Sequence, residues 1–278
     1  MRSSLSCSVL RVKKLLITVP LVLLLGGCTV MDVVGPRPNK EVMALAKQAH
    51  ADGLPSGATE DYRQLRTEQS DALKAEALRL CGITPEGEAP SSCSVNFDDA
   101  ELPASIGAQE LVSLTADTAP RLPKESVALA VEQAIDATAM QPVALDNVGS
   151  ATLTSEADIT HTTAVVQREA ELQYGLGFAL AFADDPLRER IAVLREASRE
   201  RSEALSPSIP LDDGSLAPSP GYQFVEGHTE PTTLEEAQLL VDALQRAVID
   251  EAAAAAAAAE DPTWMRDAIF IAAHAKRA

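Results

Sequence analysis

Along the second half of the chain, apolar residues return at helical rather than strand spacing. With each residue advancing about 100°, Val165, Leu172 and Leu176 share a narrow arc, which Ile159, Val166 and Leu180 widen. Leu187, Ile191, Leu194 and Leu205 form a second such stripe, and Val241, Leu244 and Val248 a third. The pattern predicts four helices near 155–183, 186–205, 233–259 and 262–276. Their starts are marked by the capping boxes Ser155-Glu-Ala-Asp158 and Thr233-Leu-Glu-Glu236, and by Asp261 followed by Pro262 at the first helical position. The proline- and glycine-rich span 206–231 is a long connection between the second and third of them. Two short-linked helices, a crossover and two more is a recognised four-helix-bundle layout.

The first half is weaker but still helical. A short helix is expected over 41–50, and Thr59 caps a longer one reaching about Leu80, with Leu65, Leu73 and Leu80 on one side. Two more are expected within 108–140, split by Thr118-Ala-Pro-Arg-Leu-Pro123. Residues 142–151 form a linker and a candidate domain boundary. No strand-like alternation of useful length and no internal repeat of 20–50 residues is present. Aromatic residues make up only 3% of the chain against 46% hydrophobic overall, so much of the apolar content is alanine. Such a core buries little area per residue and requires close helix–helix approach. The chain is read as all-α.

Three polar positions interrupt the stripes. Glu169 lies within the first, with Asp158 near its start and His161 at its edge; Ser198 lies in the middle of the second; Glu251 joins the third. A carboxylate facing a core costs several kcal/mol unless paired or metal-bound. One account is metal: a carboxylate-rich di-iron or manganese site drawing on Asp158, His161, Glu169 and Glu251. Di-iron bundles use two Glu-x-x-His motifs, and here only Asp158-Ile-Thr-His161 comes near that pattern. The favoured account is structural, with Glu169 and Glu251 meeting arginines such as Arg195 or Arg201, or reaching solvent at a bundle end. His50, His228 and His274 are scattered and read as surface residues. No glycine-rich phosphate loop and no Gly-x-Ser-x-Gly elbow is present. No cofactor is expected and no catalytic residue is assigned.

The N-terminus carries a different message. Arg2, Arg11, Lys13 and Lys14 precede an apolar run, Leu15 to Leu25, interrupted by Pro20. This is the order of a secretory signal, and a run this short is well under the ~20 residues that a membrane span needs. Leu25-Gly26-Gly27-Cys28 resembles the lipobox of bacterial lipoproteins. The resemblance implies a diacylglycerol thioether on Cys28 and cleavage before it, with residues 1–27 as signal peptide and 28–40 as tether. Removing four of the 23 basic residues leaves 19 against 41 acidic ones, a mature net charge of −22. That charge argues against nucleic acid as a partner. Cys81 and Cys93 remain, flanking Gly-Ile-Thr-Pro-Glu-Gly-Glu-Ala-Pro-Ser-Ser. An exported chain and a turn-rich loop favour a disulfide over a metal site, which would need further ligands.

Two stretches resemble a ferritin-like domain of unknown function found in actinobacterial lipoproteins and secreted proteins. The first is Val166-Gln-Arg-Glu-Ala-Glu-Leu-Gln-Tyr-Gly175, where Glu169, Tyr174 and Gly175 correspond. The second is Ser198-Arg-Glu-Arg-Ser-Glu-Ala-Leu205, where the family reads His-Arg-Ala-Arg-Arg-Asp-Ala-Leu; Arg199, Arg201, Ala204 and Leu205 match. Ser198 replaces the family's histidine. The resemblance implies a ferritin-like four-helix bundle over 152–278, preceded by a smaller helical region over 41–140, and carries no assigned activity. The expected function is a lipid-anchored, extracytoplasmic, non-catalytic protein of the cell membrane with a binding or structural role. Its expected partners are the membrane, through the lipid on Cys28, and an envelope protein.

Overall fold

A computed structural model describes residues 35–97, 102–104, 106–146, 148–149, 152–208 and 229–278. The signal segment, Cys28, most of the tether, His228 and most of the 206–231 connection lie outside these. The described residues hold eight α-helices and no strand. They are α1 (Lys40–Gly53), α2 (Glu60–Cys81), α3 (Ala108–Thr118), α4 (Lys124–Ala139), α5 (Glu156–Ala179), α6 (Asp185–Leu205), α7 (Leu234–Ala258) and α8 (Pro262–Arg277). The all-α expectation holds. None of these helices is long and apolar enough to cross a membrane.

Side-chain caps begin most of them, satisfying amides that have no partner within the helix. Asn39 Oδ1 accepts from the amides of Glu41 and Val42, and Thr59 Oγ1 from Tyr62. Ser155, Asp184, Thr233 and Asp261 do the same for α5 to α8. The two expected capping boxes differ in detail. Glu236 reaches back one residue further than the motif requires, to the amide and hydroxyl of Thr232 (2.7 and 2.8 Å). Asp158 does not reach back at all. Its two oxygens accept from the amides of Glu260 and Asp261, each at 3.0 Å, in the turn between α7 and α8. It therefore ties the start of α5 to a turn a hundred residues later in sequence.

Among the last four helices, α5 lies against α6 and α7, and α8 lies against α7 and α6, closing a ring. One end of its interior holds Leu172, Leu176, Leu187, Ile191, Leu194, Leu240, Val241 and Leu244. The other end runs without a break into the first half of the chain. Val112 and Ala116 of α3 and Val131, Ala134 and Ile135 of α4 join Trp264, Ile269 and Ile271 of α8 in one cluster. This is why α8 is apolar almost all round: two sides face α6 and α7, and α3 and α4 cover the rest. Ala252, Ala255 and Ala256 of the polyalanine run are fully buried in the same cluster, where a methyl group is the largest side chain that lets two helices approach closely. Helices α1 and α2 pair with each other and reach the remainder through α4, with Leu111 and Leu114 of α3 packed beside it.

Cys81, the last residue of α2, is disulfide-bonded to Cys93, with a Cα–Cα distance of 6.3 Å. The loop they close docks on the segment leading into α1. Ser92 Oγ donates to the carbonyl of Pro36 (2.8 Å), and Arg37 Nη1 donates to the carbonyl of Ser92 (3.3 Å).

Candidate functional site

Glu169 sits mid-way along α5 between Val165 and Leu172, 1% exposed. Opposite it on α6, Ser198 and Arg201 lie one turn apart and are equally buried. The arginine fork meets the carboxylate edge-on. Arg201 Nε donates to Oε1 (2.6 Å) and Nη2 to Oε2 (3.1 Å), while Ser198 Oγ donates to Oε2 (2.6 Å). Planar bidentate pairing of this kind is the strongest geometry an ion pair has.

The network continues to the surface through α8. Arg201 Nη1 lies 3.2 Å from His274 Nδ1. A guanidinium can only donate, so Nδ1 is the acceptor and the imidazole carries its proton on Nε2. That nitrogen is 3.2 Å from Glu200 Oε2, half-exposed beyond it. Burial, and then the Arg201 charge, lower the His274 pKa below the ordinary histidine value, with Glu200 opposing. The histidine is thus neutral at pH 7 and relays a hydrogen bond from the buried arginine to a surface carboxylate. His274 is only partly exposed, and His50 is stacked on Phe97 (centroids 4.6 Å apart), so neither is the plain surface residue expected.

The other polar positions do not converge on this point. Glu251 lies at the α5–α7 border, partly exposed, where Arg168 Nε donates to it at 3.3 Å while also pairing with Glu171 (2.7 Å). The two inward glutamates expected from the sequence resolve into one buried residue and one at the edge. Asp158 is fully buried but is held by backbone amides; His161 is half-buried and takes no part in those bonds. These donors do not fit a di-iron or manganese centre. Arg201 puts a positive charge against Glu169 where a cation would have to sit, and the remaining carboxylates are engaged elsewhere. Among the described residues, no three His, Cys, Asp or Glu side chains are grouped to hold a metal ion.

Two further buried carboxylates were missed by the sequence reading. Asp52 of α1 is fully buried, and its Oδ2 accepts from Arg66 Nε at 3.0 Å, with Nη2 of the same guanidinium in ion-pair contact at 3.0 Å. Its Oδ1 accepts from Gln48 Nε2 (2.8 Å) and the amide of Ile106 (3.3 Å). Arg66 continues to Gln69 Oε1 (2.5 Å), and Gln69 and Gln133 exchange side-chain-to-carbonyl bonds between α2 and α4 (2.9 and 3.2 Å). A signal was present: Asp52 falls seven residues after Leu45 and Arg66 seven before Leu73, each on its helix's apolar stripe. Asp267 of α8 accepts from the amide of Gly149 (2.9 Å), and burial pushes its pKa up to about 6. Comparison with protein-family models, with curated proteins and with solved structures finds no match to this chain.

Proposed function

We propose that the chain is a lipid-anchored protein of the extracytoplasmic face of the cell membrane, with a binding or structural role rather than a catalytic one. In this reading α5 to α8 form a ferritin-like four-helix bundle, with the long connection between α6 and α7 as its crossover. The ring of contacts among these helices supports that arrangement. The anchor rests on Leu25-Gly26-Gly27-Cys28, and the Cys81–Cys93 disulfide agrees with an oxidising compartment.

The observation that carries a non-catalytic role is the state of Glu169. In a metal-binding bundle this position would offer lone pairs to a cation; here three donors from Arg201 and Ser198 take them. The charge is neutralised within the protein, and the group joins α5 to α6.

Two measurements test the proposal. Expression with labelled palmitate, comparing the unaltered chain with Cys28→Ala, reads the anchor directly: label and membrane association are both expected to be lost in the variant. Unchanged labelling would overturn the lipid assignment. Metal analysis of the chain, purified without chelators or a metal-binding tag, reads the bundle. Stoichiometric iron or manganese that disappears in Glu169→Ala would overturn the structural reading in favour of a metalloprotein.

A further inference from the structure

A second region of the same helices is built on opposite lines. Between α5 and α6 runs an open groove of about 600 Å³, lined by Gln173 and Leu180 on one side and Arg188, Ile191, Arg195, Glu196 and Arg199 on the other. Three arginines against the one carboxylate of Glu196 make the lining net positive in an otherwise acidic chain. Their positions are not alike. Arg188 is paired with Asp185, and Arg199 with Glu196 and Glu203, all exposed contacts between near neighbours on one helix. Pairs of that kind are worth about 1 kcal/mol or less and rearrange easily.

Arg195 differs from both. Among the described residues it has no carboxylate partner, and its Nε is shut off from solvent with no acceptor. Its guanidinium lies across α5 at Gly177, where an added Cβ would stand 3.5 Å from Nη2. The helices are fixed at this level, because Gln173 Nε2 donates to the carbonyl of Arg195 (2.8 Å). Nε is out of a groove ligand's reach, but with no carboxylate competing for this partly exposed guanidinium its terminal nitrogens keep donors that suit an oxyanion.

We infer that this groove binds a phosphate group, with Arg195 as the anchor and Arg188 and Arg199 turning from their surface partners to complete the site. The groove is larger than a bare phosphate requires, and Leu180 and Ile191 give it an apolar wall, so a phosphate ester with an apolar portion fits better than the free ion. A phospholipid headgroup and a soluble phosphate share that chemistry. This inference goes beyond the envelope reading and stands whether or not Cys28 is lipidated.

The test titrates inorganic phosphate, and separately dihexanoyl-phosphatidate below its micelle concentration, into the full chain in neutral detergent, read by calorimetry. Saturable binding is expected, weakened about 10- to 100-fold in Arg195→Gln, the equivalent of one lost charged hydrogen bond. Arg246→Gln, on α7 away from the groove, is expected to leave binding unchanged. Tighter binding of the phosphatidate assigns a lipid headgroup as the source; equal binding assigns a soluble phosphate. If Arg195→Gln does not fold, the double variant Arg188→Gln with Arg199→Gln is expected to lose about 10-fold or more. The site is overturned if neither probe saturates, if the groove variants bind as the unaltered chain does, or if Arg246→Gln weakens binding equally.

Discussion

Glu169→Ala should cost far more than a surface substitution, and the reason can be worked through. The carboxylate and Arg201 are each 1% exposed, so truncating one leaves the other charged, buried and without a counter-ion. Removing one member of such a pair costs about 3–5 kcal/mol. Ser198 Oγ also loses its acceptor, though a helical serine can turn to a carbonyl of the preceding turn. For a domain of this size each kcal/mol moves the melting temperature by about 2–4 °C, so a fall of roughly 6–20 °C is expected. The decisive comparison is Glu169→Leu with Arg201→Met. Removing both charges spares the desolvation cost of each, and such replacements are often neutral or stabilising by about 1–4 kcal/mol. Urea unfolding followed by far-UV circular dichroism measures the unaltered chain, Glu169→Ala, the single substitutions Glu169→Leu and Arg201→Met, and their combination. A loss under about 1 kcal/mol for Glu169→Ala would refute the closed ion pair. So would a double variant whose cost equals the sum of the two single substitutions.

Further outcomes follow from other contacts. Asp267 has its pKa raised to about 6 from a model-compound value of 3.8, so its contribution to stability is full below pH 4 and is lost as pH rises to about 6. Asp267→Asn keeps an acceptor for the Gly149 amide and should gain about 1–3 kcal/mol at pH 7, with that slope removed from the pH profile. His274 has its pKa lowered, so its contribution is present above the ordinary histidine value and is lost as pH falls through the folded one; His274→Gln should flatten the profile there. Gly149 has φ of 74°, and a Cβ there would collide with the carbonyl of Ala204; Gly149→Ala should lose about 2 kcal/mol or more in the same unfolding assay. Replacing Cys81 and Cys93 together by alanine should cost about 3 kcal/mol, as expected for opening a loop of this length.

What the sequence made legible, and what it did not, divides on range. Helix starts were readable because a cap and the amides it serves lie within four residues: Thr59, Ser155, Thr233 and Asp261 all act locally. Glu169 and Ser198 stood out as polar residues on apolar arcs, and Arg201 was already among the partners weighed for the glutamate. Asp52 and Arg66 obey the same rule and were open to the same reasoning, but the expected first helix ends at residue 50, one turn short of the actual end of α1, and leaves Asp52 outside it. Asp158 could not have been placed, because a sequence does not say which distant amides will lie across from a carboxylate. The all-round burial of α8 was hidden for a related reason: its outer cover comes from α3 and α4, well over a hundred residues upstream.

The docked loop between Cys81 and Cys93 also has a mechanical meaning. Tension applied to the chain on the N-terminal side of residue 35 does not first reach the end of α1. It meets Pro36 and Arg37, which are held to Ser92 by two hydrogen bonds, and Ser92 adjoins a covalent cross-link to the last residue of α2. Load is thereby shared between two helices and applied sideways to those bonds, rather than unzipping α1 one turn at a time. A molecule tugged from that side would yield in one step at higher force, and reducing the disulfide would turn that step into gradual peeling.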